Sequence, residues 1–99
     1  MKRIPKKVSV LGQRLDVIET NDRNILGDTD GKIIPDLATV VIRKKLPQDQ
    51  KWEVFLHEIG HMIGMCLAFG DPYDCEEKYN AYMVTYFGFL RDNQLLNIE

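Results

Sequence analysis

The sequence predicts an α+β domain, and three observations carry that reading. Before Pro47 the apolar residues follow a period of two and are rich in β-branched side chains. After Pro47 the period lies between three and four, and Gln48 to Phe69 contains no proline. Gly70 and the Asp71-Pro72 pair then divide the second half into two helices. With 99 residues there is room for one core, so residues 1–99 are expected to form a single domain.

The elements follow in order. Val8 and Val10 alternate with polar neighbours, and Gly12-Gln13 offers a turn. Leu15, Val17 and Glu19 then alternate with Asp16, Ile18 and Thr20, and Asn21 to Asn24 is polar and turn-forming. Asp30-Gly31 is a tight-turn signal, Lys32 to Ile34 resumes a strand, and Pro35-Asp36 interrupts it. Leu37 to Arg43 is the most β-branched stretch, and Arg43-Lys44-Lys45 reads as its solvated end. Three to four short antiparallel strands are therefore expected within about residues 6–45. Pro47 suits a first helical position, and a helix over about 47–69 carries apolar residues around much of its circumference, as a central buried helix does. A second helix over about 72–91 folds back antiparallel, with Tyr79, Tyr82, Met83, Tyr86, Phe87 and Leu90 as its apolar side. Its start can be capped by Asp71, or by Asp74 with Glu77 as a capping box. Asn93 to Glu99 is a tail.

Charge and composition exclude several function classes. Thirteen lysines and arginines against fifteen acids leave a net charge of −2, so no direct nucleic-acid binding is expected, although Lys2, Arg3, Lys6 and Lys7 make a basic start. No apolar run approaches the roughly eighteen residues of a membrane span, so no membrane partner is expected. The apolar run after the basic start is only Val8 to Leu11, broken by Ser9, too short for a secretory core, and a cytoplasmic protein is the expectation. Cys66 and Cys75 have no metal-ligand spacing and are expected to be reduced and structural.

The chemistry is concentrated in His57-Glu58-Ile59-Gly60-His61, an HExxH motif inside the first long helix. Four residues make about one helical turn, so both imidazoles leave one face and can share a tetrahedral metal ion. Glu58 is about 100° around the helix from His57, within reach of a water on that metal without ligating it. These are the chain's two histidines. Placed at random they would fall four apart roughly 2% of the time, and a glutamate directly after the first reduces the chance to on the order of one in a thousand. The expected metal is Zn2+, which acidifies its water so that Glu58, as catalytic base, can take the proton while the water attacks a carbonyl.

Such a site needs a third protein ligand. The residue ten after His57 is Leu67, so an HExxHxxGxxH extension is absent. Glu76 is the favoured carboxylate, in the first turn of the returning helix and four residues before Asn80, which would then hydrogen-bond the far nitrogen of a ligand histidine. Glu77 is the alternative, with Asp71, Asp74 and Asp92 behind it. Tyr73, Tyr79, Tyr82 and Tyr86 are all available as oxyanion donors, and spacing does not choose among them.

HEIGH followed by Glu76, Glu77, Asn80 and Ala81 resembles the gluzincin pattern HExxH…ExxxD/N. In particular, residues 25 to 93 resemble the small phage and mobile-element metallopeptidases related to the ImmA/IrrE group. The resemblance implies a minimal zincin-like fold in which His57, His61 and Glu76 hold zinc and Glu58 is the base. It implies a peptide or protein substrate, such as a repressor, added as an extended chain to a sheet-edge strand beside the active-site helix; Leu37 to Arg43 is the candidate for that strand, the alternative being an interior strand that packs two apolar faces. Tyr79 stands where that group usually has alanine. Two other readings compete: a zinc-bearing, non-catalytic interaction or assembly protein of a phage or mobile element, and a metal-free domain.

Glu76→Ala is expected to weaken zinc binding roughly tenfold or more, whereas Glu77→Ala costs mainly a helix cap. Competition against a chromogenic chelator measures both, and equal affinity in wild type and Glu76→Ala would overturn the ligand assignment.

Overall fold

A computed structural model describes residues 2–66 and 76–97, and the side chains of Cys66, Glu76, Glu77, Lys78 and Tyr79 are outside that description. Strand β1 (Lys7–Val10) and strand β2 (Gln13–Thr20) form a hairpin. The single helical turn α1 (Arg23–Leu26) leads to β3 (Gly31–Ile34), a 3-10 turn over Pro35–Leu37, and β4 (Thr39–Arg43). Helix α2 (Gln48–Cys66) and helix α3 (Glu76–Asp92) complete the chain. The expected α+β class is observed. The expected stops and caps at Gly70, Asp71 and Asp74, and the environment of Cys75, lie outside the described residues.

The sheet has the order β1-β2-β4-β3 and is mixed, which corrects the all-antiparallel expectation. β1–β2 and β3–β4 are antiparallel, but β2 and β4 run parallel, with Asp16 opposite Thr39 and Thr20 opposite Arg43. A parallel pair needs a connection of a dozen or more residues, and the stretch between Thr20 and Thr39 supplies it. The structure decides the place of the β-branched run: β4 pairs on both sides and every one of its residues is buried, so it is an interior strand and not a peptide-adding edge.

Two turn assignments also change. The β1–β2 turn is Leu11-Gly12, with φ of 50° and 82°, rather than Gly12-Gln13. Positive φ at both central residues is the type I′ geometry that matches strand twist, and it places a leucine in a left-handed conformation. Asp30-Gly31 is no hairpin turn. Gly31 opens β3, and Asp30 is drawn to Arg43.

One face of the sheet carries the core. Val8, Val10, Leu15, Val17, Val40 and Ile42 meet Trp52, Phe55, Ile59, Met62 and Ile63 of α2. Phe55, Ile59 and Ile63 are 0% exposed. Each such side chain contributes about 1.5–3 kcal/mol, so five of them outweigh the Lys51–Glu19 ion pair between α2 and β2, worth about 1 kcal/mol or less. Packing, not charge, orients the helix. It is amphipathic rather than buried all round, since His57, His61 and Met65 are exposed. Pro47 precedes the helix instead of opening it, and its carbonyl accepts the Lys51 N–H at 2.9 Å.

α3 presents Tyr82, Tyr86, Phe89 and Leu90 to the core, whereas Met83 and Phe87, expected on the apolar side, are exposed. Its end is pinned by Asn93, whose amide donates to the Ser9 carbonyl at 2.8 Å and accepts from the Ser9 N–H at 2.9 Å. Asn93 thus occupies the outer edge of β1 as a neighbouring strand would. The outer edge of β3 has no strand partner among the described residues.

Leu11→Asn is expected to stabilise the fold by about 0.5–1 kcal/mol, because asparagine tolerates the left-handed conformation that leucine does not. A urea unfolding midpoint unchanged or lowered would contradict this account of the turn.

Candidate metal centre

His57 and His61 lie one turn apart on the side of α2 turned away from the core, so burial of Phe55, Ile59 and Ile63 points both rings outward. Their Nε2 atoms are 3.0 Å apart, with ring centroids at 4.6 Å and planes at 84°. Two nitrogens bound at about 2.0–2.1 Å to one tetrahedral zinc are separated by about 3.3 Å. The pair therefore needs to open by only a few tenths of an ångström to hold such an ion. In a metal-free state the same approach fits one imidazole N–H donating to the other ring nitrogen. Glu58 completes a set whose ligand-type atoms all lie within 4.8 Å of one another.

Glu58 is 9% exposed and lies against the sheet edge. A Cβ built on Gly31 would collide with Val54 Cγ1 and come within 3.2 Å of Glu58 Cγ. The absence of a side chain at the first residue of β3 is therefore what lets α2 approach the strand and seat the glutamate. The opposite flank of the histidine pair faces α3. Gly60 is two residues, or about 200°, around from Glu58, and a Cβ there would lie 2.6 Å from the Tyr82 hydroxyl. One turn earlier, the Tyr86 hydroxyl donates to the Leu56 carbonyl, joining α3 to the peptide just before His57. Burial raises the Tyr86 pKa, with Tyr82 adding to the effect, so this donor keeps its proton throughout the neutral range. The histidines and Glu58 thus open into a cleft bordered by Thr29, Asp30, Gly31, Glu53 and Val54.

A third element, the loop Gly27–Asp30, borders the same cleft and is held by Arg43. The guanidinium donates to Asp30 Oδ1 at 3.2 Å, to the Gly27 carbonyl at 3.0 Å and to the Thr29 carbonyl at 2.5 Å. Arg43 is 8% exposed, and these bonds satisfy a charge that burial would otherwise make costly. This corrects the reading of Arg43 as part of a solvated strand end; Lys44 and Lys45 are exposed, as expected. Its signal in the sequence was strand alternation, which puts Arg43 on the same side of β4 as buried Val41.

The structure brings His57, Glu58 and His61 together. The side chains of Glu76, Glu77 and Tyr79 lie outside the described residues, as do Asp71, Tyr73 and Asp74, although Glu76 is the first residue of α3. Asn80 is exposed and makes no hydrogen bond to either histidine among the described residues. Gly31, Arg43 and Glu53 border or support the cleft without having been singled out by the sequence; for Gly31 a glycine at a strand position was the available signal. Scans against protein-family models, curated proteins and solved structures found no match to this chain.

Replacing Gly31 with valine is expected to destabilise the fold by about 1–3 kcal/mol by overpacking, while Gly64→Ala, with nothing among the described residues within 4 Å of its Cβ, leaves stability unchanged or raises it. Urea unfolding of both variants checks the contrast, and a Gly31→Val protein as stable as wild type would refute the close approach of β3 to α2.

Proposed function

We propose that this chain is a minimal zincin-like zinc metallopeptidase that hydrolyses a peptide bond. The observation that carries this reading is the convergence of the His57 and His61 Nε2 atoms, 3.0 Å apart, beside the Glu58 carboxylate in an open cleft. Zinc, when bound, would acidify a water and polarise the scissile carbonyl. His57 and His61 would hold it, with Glu76 as the proposed third ligand. Glu58 would take the proton of the attacking water and pass it to the leaving amine.

The sheet edge supports a peptide as substrate. The Arg43 N–H donates to the Asp30 carbonyl, so by antiparallel alternation Gly31 and Ile33 turn their own N–H and C=O groups away from β4. An extended chain could add there and pass over the histidines. The other edge of the sheet is occupied by Asn93 at Ser9. The resemblance to the ImmA/IrrE group supports a regulatory protein, such as a repressor, as the substrate, and a cytoplasmic setting. Among the described residues no helix is long and apolar enough to cross a membrane.

One observation favours the second reading, a zinc-binding interaction or assembly protein of a phage or mobile element. Met83, Val84 and Phe87 form an exposed apolar strip on α3, the kind of surface that serves association.

Protein purified without chelator is expected to carry about one zinc per chain by elemental analysis. Glu58→Gln is expected to keep that zinc and the fold while hydrolysis of a protein substrate falls by about 10²–10⁴-fold. Absence of zinc even after reconstitution would overturn the metal centre. Wild-type turnover by Glu58→Gln would overturn the catalytic role and leave the interaction reading.

A further inference from the structure

Beyond the catalytic group, the cleft carries a second carboxylate to which the reaction gives no task. Glu53 lies one turn before His57 on α2, is exposed, and lines the same cleft as Glu58 and the two histidines. Asp30 lines it as well, with one oxygen held by Arg43 at 3.2 Å and its side chain 56% exposed. Among the described residues Glu53 makes no ion pair and no lysine or arginine lines this cleft. Glu53 does not belong to the compact set formed by His57, Glu58 and His61. It lies along the cleft from them, not on the metal position.

We propose that Glu53 is a specificity-determining residue that selects a cationic group, an ammonium or guanidinium, on the substrate close to the scissile bond. This rests on the peptidase reading and names its substrate class. The centre of the histidine pair is six residues along α2 from Glu53, about 9 Å at the helical rise. An extended chain advances about 3.3 Å per residue, so the selected residue lies within about three positions of the bond that is cut. At that distance a lysine or arginine side chain reaches an exposed carboxylate while its backbone pairs with β3. A glutamate or aspartate there meets Glu53 and the uncompensated part of Asp30, and is disfavoured by repulsion. The same charge would favour a free α-amino group, and the two sources are separable by blocking it.

The test measures binding as well as cleavage. Zinc-loaded Glu58→Gln protein is titrated into fluorescent peptides, acetylated at the N-terminus, that carry lysine, glutamine or glutamate at successive positions around a fixed apolar centre. A further peptide has neutral side chains and a free α-amine. The lysine peptides are expected to bind about fivefold more tightly than their glutamine counterparts at one or two positions, with glutamate weakest, and the difference shrinks as salt is raised. Adding Glu53→Gln abolishes the preference, and Glu53→Lys reverses it. Preference for the free α-amine alone would assign the cationic group to the substrate's N-terminus. Affinity independent of charge, or a lysine preference that survives Glu53→Gln, overturns the proposal. If wild-type protein fails to cut the peptides that the Glu58→Gln form binds with this preference, the peptidase reading falls while the role of Glu53 in binding stands. If no peptide of any charge binds, both fall.

Discussion

The packing of one face of α2 against the sheet is the constraint on which everything else depends. Phe55, Ile59 and Ile63 are fully excluded from solvent, and burying them leaves the helix a single rotation about its axis. That rotation turns His57 and His61 outward and sends Glu58 to one flank and Gly60 to the other. The chemical arrangement is thus a by-product of core formation. No polar contact needs to pay for it.

Two glycines let neighbouring elements close on this helix from opposite sides. Gly31 admits Val54 and Glu58 against the start of β3, and Gly60 admits the Tyr82 ring from α3. At each position a Cβ would meet a side-chain atom that already fills the space. Gly31 and Val54 themselves border the cleft beside the histidines, so the first of these contacts forms part of its wall.

Arg43 performs the corresponding service for the loop. A buried guanidinium that donates to two carbonyls and a carboxylate fixes Gly27–Asp30 with directional bonds, where that loop has few apolar side chains to anchor it. The loop in turn forms part of the cleft beside the histidines. Sheet interior, loop and cleft are therefore coupled through one side chain at the end of β4, and the same residue sets how much of the Asp30 charge is left to face the cleft.

Much of this protein was legible in local pattern. The change of period at Pro47 determined the α+β class, the β-branched run of Leu37 to Arg43 marked a strand without deciding between edge and interior, and the four-residue spacing of the histidines determined that both rings leave one helical face. These are properties of neighbouring residues along one element, where backbone geometry leaves little choice. The tertiary structure alone decided the parallel pairing of β2 with β4, the burial of Arg43, the use of Gly31 as a contact rather than a turn, and the rotation of α3 that exposes Met83 and Phe87 while burying Phe89. Each depends on a partner distant in the chain: strand order on the path from Thr20 to Thr39, Arg43 on a loop more than a dozen residues away, and the face of α3 on Ser9 and Gly60. Residue types state what an element can bury or bond, but which partner it meets is set by how the whole chain closes on itself.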